Sequence, residues 1–131
     1  MEKKYYEIKE KQTLQNLDIY REHIKSINGV NTLIMKLDNK DTNLLKSIAD
    51  ELMNEMGNAF IFFINIKDDN SVNFIAKSSC FVNAGLIVKD ASISSNGNGG
   101  GSPKFAQGGG KNLDAIDDII KHIEKVIKDY E

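Results

Sequence analysis

The chain has no tryptophan, one proline, one cysteine and two histidines among its 131 residues. A lone cysteine, Cys80, excludes an internal disulfide framework and reads as a small buried hydrophobe. His23 and His122 fall in separate helical patterns with no HxxH, HExxH or CxxC spacing nearby, so neither a metal nor another cofactor is expected. Long apolar runs are missing as well: Ala59 to Ile64 is six residues, against the ~20 that a membrane-crossing helix needs. The opening MEKKYYEIKEKQ lacks the apolar centre of a signal peptide. The sequence therefore reads as soluble and cytoplasmic, without membrane contact. No sign of charge dominates; a net charge of −2 argues against a generic nucleic-acid binder driven by a basic face. No Ser-His-Asp or Cys-His set emerges, so no catalytic residue is expected.

Glycine is abundant in one place only. Seven of the ten glycines and the single proline lie between Gly97 and Gly110, within NGNGGGSPKFAQGGG, residues 96–110. That density marks backbone needing positive φ or room for a close approach. Phe105 and Ala106, held between two triple-glycine runs, mark a loop pinned at its middle rather than a free linker. From Ala91 to Leu113 there is no acid, and Lys104 and Lys111 make the stretch locally positive. The second glycine run precedes a helix amino terminus, whose free N–H groups suit a phosphate. It matches no phosphate fingerprint, because GGGKN lacks the spacing of GxxxxGK(S/T) and NGNGGG lacks that of GxGxxG.

Around this segment the periodicity is that of helices and strands. Leu14, Leu17, Tyr20, Ile24 and Ile27 recur every three or four residues, which predicts a helix over residues 1–27 with a narrow apolar seam. Five apolar positions make barely two heptads, so at most weak homodimerisation through this helix is expected. After Asn28-Gly29, Asn31 to Leu37 predicts a strand. Asp41 is placed to cap a helix with Leu45, Ile48 and Leu52 on its inner face and Gly57 at its end. Ala59 to Ile66 is apolar enough for a central strand buried on both faces, and Val72 to Lys77 returns antiparallel to it. Asn83 caps a second helix to about Ser94, Phe105 to Gln107 forms a short edge strand, and Asn112 caps a last helix. Ile116, Ile119, Ile123, Ile127 and Tyr130 stripe that helix. The fold class is α/β: one domain, residues 28–131, with a mixed sheet of about four strands and flanking helices, preceded by a protruding amino-terminal connecting helix, residues 1–27.

The string GGGSPKFAQGGG, Gly99 to Gly110, resembles the GGGRPDMAQGGG signature near the carboxy terminus of alanyl-tRNA synthetases. The resemblance runs back through Asn83-Ala84-Gly85-Leu86-Ile87-Val88 and Val72-Asn73-Phe74-Ile75-Ala76 to Gly29-Val30, covering residues 28–131. DHH phosphoesterases carry GGGHxxAAG instead; here Ser102 and Pro103 follow the glycines, and Lys104 stands where the synthetase motif has an acid. The resemblance implies a DHH-associated, non-catalytic accessory domain of alanine-tRNA ligase that contacts the elbow of tRNA-Ala and links aminoacylation with editing. The implied partners are that tRNA and the other domains of the synthetase. Neither catalytic domain lies in this chain, which reads as an excised domain and not an enzyme by itself. The implied tRNA-binding residues are Gly99, Gly100, Gly101, Ser102, Lys104, Gln107 and Lys111. Two other readings remain: the substrate-binding half of a DHH-type phosphoesterase, and an assembly module in which the glycines form only a corner.

Overall fold

A computed structural model of the chain describes residues 18–129. In chain order they form α1 (Asp18–Arg21), β1 (Ile24–Ile27), β2 (Val30–Asp38), α2 (Thr42–Met56), β3 (Ala59–Ile66), β4 (Val72–Ser78), α3 (Ala84–Ser94), β5 (Asn98–Gly101) and β6 (Phe105–Gly110). A 3-10 turn, Leu113–Ala115, then leads into α4 (Ile116–Lys128). The six strands make one sheet in the order β1-β2-β3-β4-β6-β5, in which only β2 and β3 run parallel.

The apolar run of β3 fixes the layers. Ala59 to Asn65 are all fully buried, and because side chains alternate across a strand they feed two separate cores. Phe60, Phe62 and Ile64 join Phe74 of β4, Val88 of α3 and the isoleucine stripe of α4. Ile61 and Phe63 join Leu45, Ile48 and Leu52 of α2, with Tyr20 edge-on to Phe63 at 5.7 Å between centroids. Helices therefore cover both faces. Asn65, buried in β3, is satisfied by the chain leaving β2: its amide accepts from Lys40 N at 2.9 Å and donates to Lys40 O at 2.8 Å. The expected caps are formed, with Asp41 accepting from Asn43 N and Asn83 accepting from Leu86 N. Asn112 caps the 3-10 turn ahead of α4 rather than α4 itself.

Three expectations are corrected. The helix predicted over residues 1–27 does not reach Ile27: α1 stops at Arg21 and Ile24–Ile27 is an edge strand. Asn28 and Gly29, at φ 50° and 79°, close a two-residue hairpin that pairs Ile27 with Val30. Ile24 and Ile27, three apart, fit a helical seam, but in the strand they point to opposite faces, Ile24 joining the α2-side core and Ile27 the α3/α4-side core. Leu14, Leu17 and Tyr130 lie outside the described residues. The sheet also has six strands, not about four, because β1 and β5 add one to each edge without the alternation that marks a strand in sequence. Phe105 to Gln107 belongs to a strand that continues to Gly110 and lies inside the sheet; the edge is β5, made of residues 98–101.

Candidate nucleic-acid interface

The glycine-rich segment is a β-hairpin, and its glycines are there because α3 lies directly on it. A Cβ on Gly108 would come 2.7 Å from Val88 Cγ1 and closer still to Ser92 Oγ. One on Gly99 would strike the same Ser92 oxygen and lie 2.6 Å from the Gly108 Cα. On Gly101 it would meet the Phe105 carbonyl oxygen at 2.6 Å, and Gly85 on α3 answers with the same distance to the Gly101 oxygen. Helix and sheet thus approach to where neither side tolerates a methyl group. Of the seven glycines in the segment, only Gly100 has positive φ, at 156°, and a Cβ there would meet nothing within 4 Å. Of the two expected reasons for glycine, positive φ holds at Gly100 and close approach at the other six.

The phosphate expectation for the second glycine run is corrected. Gly108 to Gly110 pair with β4, and Lys111 N and Asn112 N both donate to Ser95 O, at 2.7 and 2.9 Å. Asn112 Oδ1 accepts from Asp114 N at 3.1 Å. These amides are spent on the fold, and Asp114, Asp117 and Asp118 crowd the start of the helical segment with negative charge.

Alternation along the hairpin sorts the candidate residues. Gly99 and Gly101 lie on the α3 side, where an added Cβ would clash, although both stay exposed along the edge strand. Gly100 and Gln107 are cross-strand partners on the other face, where α2 packs mainly on β3 and β4. Ser102 serves the turn: its Oγ accepts from Phe105 N at 3.1 Å, and its N donates to Phe105 O at 2.9 Å. The neighbouring carbonyls of Pro103 and Lys104 tie that turn to Ala84 N and Ser78 N. Lys104 and Gln107 are exposed, and their side chains hold no partner among the described residues.

The structure does not bring the two lysines together. Lys104 and Lys111 flank opposite ends of β6, roughly 20 Å apart at the rise of a strand. Lys111 lies near the β3–β4 turn, where the Ser71 hydroxyl and N–H, at 2.5 and 3.0 Å, hold the Asp69 carboxyl below the usual carboxylate range, with a smaller contribution from the Lys111 ammonium. Its charge is thus partly answered within the fold. The residue that sequence reasoning missed is Lys46 of α2, whose Nζ lies 5.9 Å from the centroid of the Phe105 ring. Nothing in the sequence signals this pairing across 59 positions. Phe105 itself is half-buried against the α2-side core, so the reading of a segment pinned at its middle stands. Among the described residues no three His, Cys, Asp or Glu side chains are grouped to hold a metal, and no helix is long and apolar enough to cross a membrane.

A mixed sheet covered on both faces, with a glycine hairpin locked under a helix at one edge, defines the class. Residues 29–129 match the DHHA1 domain, and the chain belongs to that family. It is similar to alanine-tRNA ligases: 33% identical over 132 residues to that of Endomicrobium trichonymphae, and 29% over 133 residues to that of Clostridioides difficile (strain 630). The alignments cover 97% and 98% of this chain but 15% of each ligase, so the chain spans about one seventh of those relatives. Among solved structures, the C-Ala domain from Aquifex aeolicus alanyl-tRNA synthetase superposes with a TM-score of 0.72 at 22% identity, covering 80% of this chain and 97% of that one. RecJ from Thermus thermophilus, in complex with Mg2+, shares the fold at TM-score 0.66 and 8% identity, over 95% of this chain and 19% of that one.

Proposed function

We propose that this chain is a non-catalytic tRNA-binding accessory domain of an alanyl-tRNA synthetase, contacting the tRNA elbow and helping the aminoacylation and editing domains share one tRNA. Similarity to alanine-tRNA ligases over nearly the whole chain supports the assignment to that enzyme. The observation that carries RNA contact is the hairpin's asymmetry. One face packs under α3, while the other carries Gly100, with nothing within 4 Å of an added Cβ, and the exposed Gln107, with Lys104 at the turn and no acid between Ala91 and Leu113. A tRNA elbow is met by shape, backbone and exposed base faces, which suits a flat surface with a few free donors. The partners are tRNA-Ala and the remaining domains of the synthetase, and the compartment is the cytoplasm.

The test is filter binding of the 131-residue chain to tRNA-Ala and to an acceptor minihelix without an elbow, across several salt concentrations. Full tRNA is expected to bind and the minihelix not. Lys104→Ala is expected to lower affinity and reduce the salt slope by about one. Lys111→Ala is expected to do less, because Asp69 already opposes its charge. Equal binding of both RNAs, or lysine variants indistinguishable from wild type, contradicts the proposal. The packing role of the glycines favours the assembly-module reading in one respect, and that second outcome is the one it requires.

A further inference from the structure

The open face of the hairpin continues onto the ring of Phe105, within the glycine motif, and onto a cation of α2 that lies outside the motif. Phe105 and Gln107 are two apart on β6 and so point to the same face, about 7 Å apart along the strand. Gly100 lies beside Gln107 with empty space above it. Lys46 reaches in from α2 and rests its ammonium near the Phe105 ring, at 5.9 Å from the centroid. That is the outer reach of a cation–π contact, so little is lost when the ammonium moves. Asp50, one turn along α2, is engaged by Lys77, and Lys46 has no carboxylate partner among the described residues. Three chemistries thus adjoin: an unclaimed cation, a half-exposed ring and an unpartnered amide.

Resting on the tRNA-binding reading, the geometry points to a single-nucleotide site on this α2-side face, made by Lys46, Phe105, Gly100 and Gln107. An unpaired RNA base lies flat over the bare backbone at Gly100 and against the Phe105 edge. The Gln107 amide, donor and acceptor together, reads the edge of that base. Lys46 leaves the ring for the phosphate of the same nucleotide. No bond is made or broken.

The experiment is the same tRNA-Ala titration with the full chain, run between about 50 and 200 mM salt, where a phosphate contact registers as slope. Lys46→Ala is expected to reduce the slope by about one and Lys46→Arg to retain it. Gln107→Ala is expected to weaken binding about tenfold with the slope unchanged, as loss of an uncharged base contact does. Lys89→Ala, an exposed cation on α3, is expected to leave both quantities at wild type. Gln107 is exposed and unpartnered, so its variant folds; a thermal melt of each protein confirms that any loss belongs to the surface. Wild-type binding that persists unchanged in both Lys46→Ala and Gln107→Ala overturns the nucleotide site and leaves the tRNA reading standing. Failure of wild type to bind tRNA-Ala overturns both.

Discussion

Gly108 shows how a single residue in this fold is chosen by what lies above it. The sequence marks it as one of a run needing positive φ or room for a close approach; the close neighbours are Val88 and Ser92, 20 and 16 positions earlier on α3. Steric partners across a helix–sheet interface leave no trace in local pattern, which is why sequence locates the glycines but not their role. Gly108→Ala is expected to cost about 1–3 kcal/mol as an overpacking change. Gly100→Ala, with open space above it, meets no clash and is expected to cost about 1–3 kcal/mol as backbone strain alone. Urea midpoints of each variant with and without Ser92→Ala separate the two causes: removing the Ser92 oxygen is expected to relieve Gly108→Ala and to leave Gly100→Ala unchanged, and no relief at Gly108 would refute the packing. Ser92 belongs to the same contact. Its Oγ is buried without a hydrogen-bond partner, so Ser92→Ala is expected to be neutral or stabilising, where loss of a satisfied buried hydroxyl would cost about 1 kcal/mol. At the surface, Asp117 is held below the usual carboxylate range by the Lys36 ammonium, hydrogen-bonded at 2.9 Å. A carboxyl with a lowered folded pKa contributes stability above its unfolded value near 4, and loses it as pH falls through the folded value. Melting of wild type and Asp117→Asn should therefore differ at neutral pH and converge in acid; a gap that widens in acid has the wrong sign.

At the level of elements, legibility follows side-chain pattern. β3, α2 and α4 carry enough apolar residues at one period to be read directly, and each appears close to its expected bounds. β5 carries none, because a strand written Asn-Gly-Gly-Gly has no alternation, and its pairing rests on backbone alone. β1 misleads for the opposite reason: two isoleucines three apart satisfy a helical seam, yet serve a strand that feeds one core on each face. The Asn28-Gly29 turn decides between them. The loop from β2 to α2 hangs on Asn65, which spends its amide on both polar atoms of Lys40. Asn65→Ala leaves Lys40 N unpaired, while Lys40 O keeps the Lys67 ammonium at 3.1 Å, and is expected to destabilise by about 1–3 kcal/mol, measured by chemical denaturation. A change within experimental scatter would show that water replaces the amide without cost.

For the whole molecule, the α/β class and the antiparallel return of β4 are readable in the sequence, while the assembly of the candidate site is only half so. Lys104, Gln107 and Gly100 sit in the glycine motif, but Lys46 comes from the layer on the other side of β4 and meets Phe105 only through the sheet order. The same order decides what lies over each face of the hairpin, since α3 packs against β5 and β6 on one and α2 packs mainly on β3 and β4 on the other. The proposed contact of this face with a tRNA elbow can be read from a nuclease footprint of the chain on tRNA-Ala. The account expects protection where the D and T loops meet, with the acceptor and anticodon ends as reactive as in free tRNA. Protection confined to the acceptor or anticodon end, or none at concentrations that retain tRNA on a filter, would contradict it.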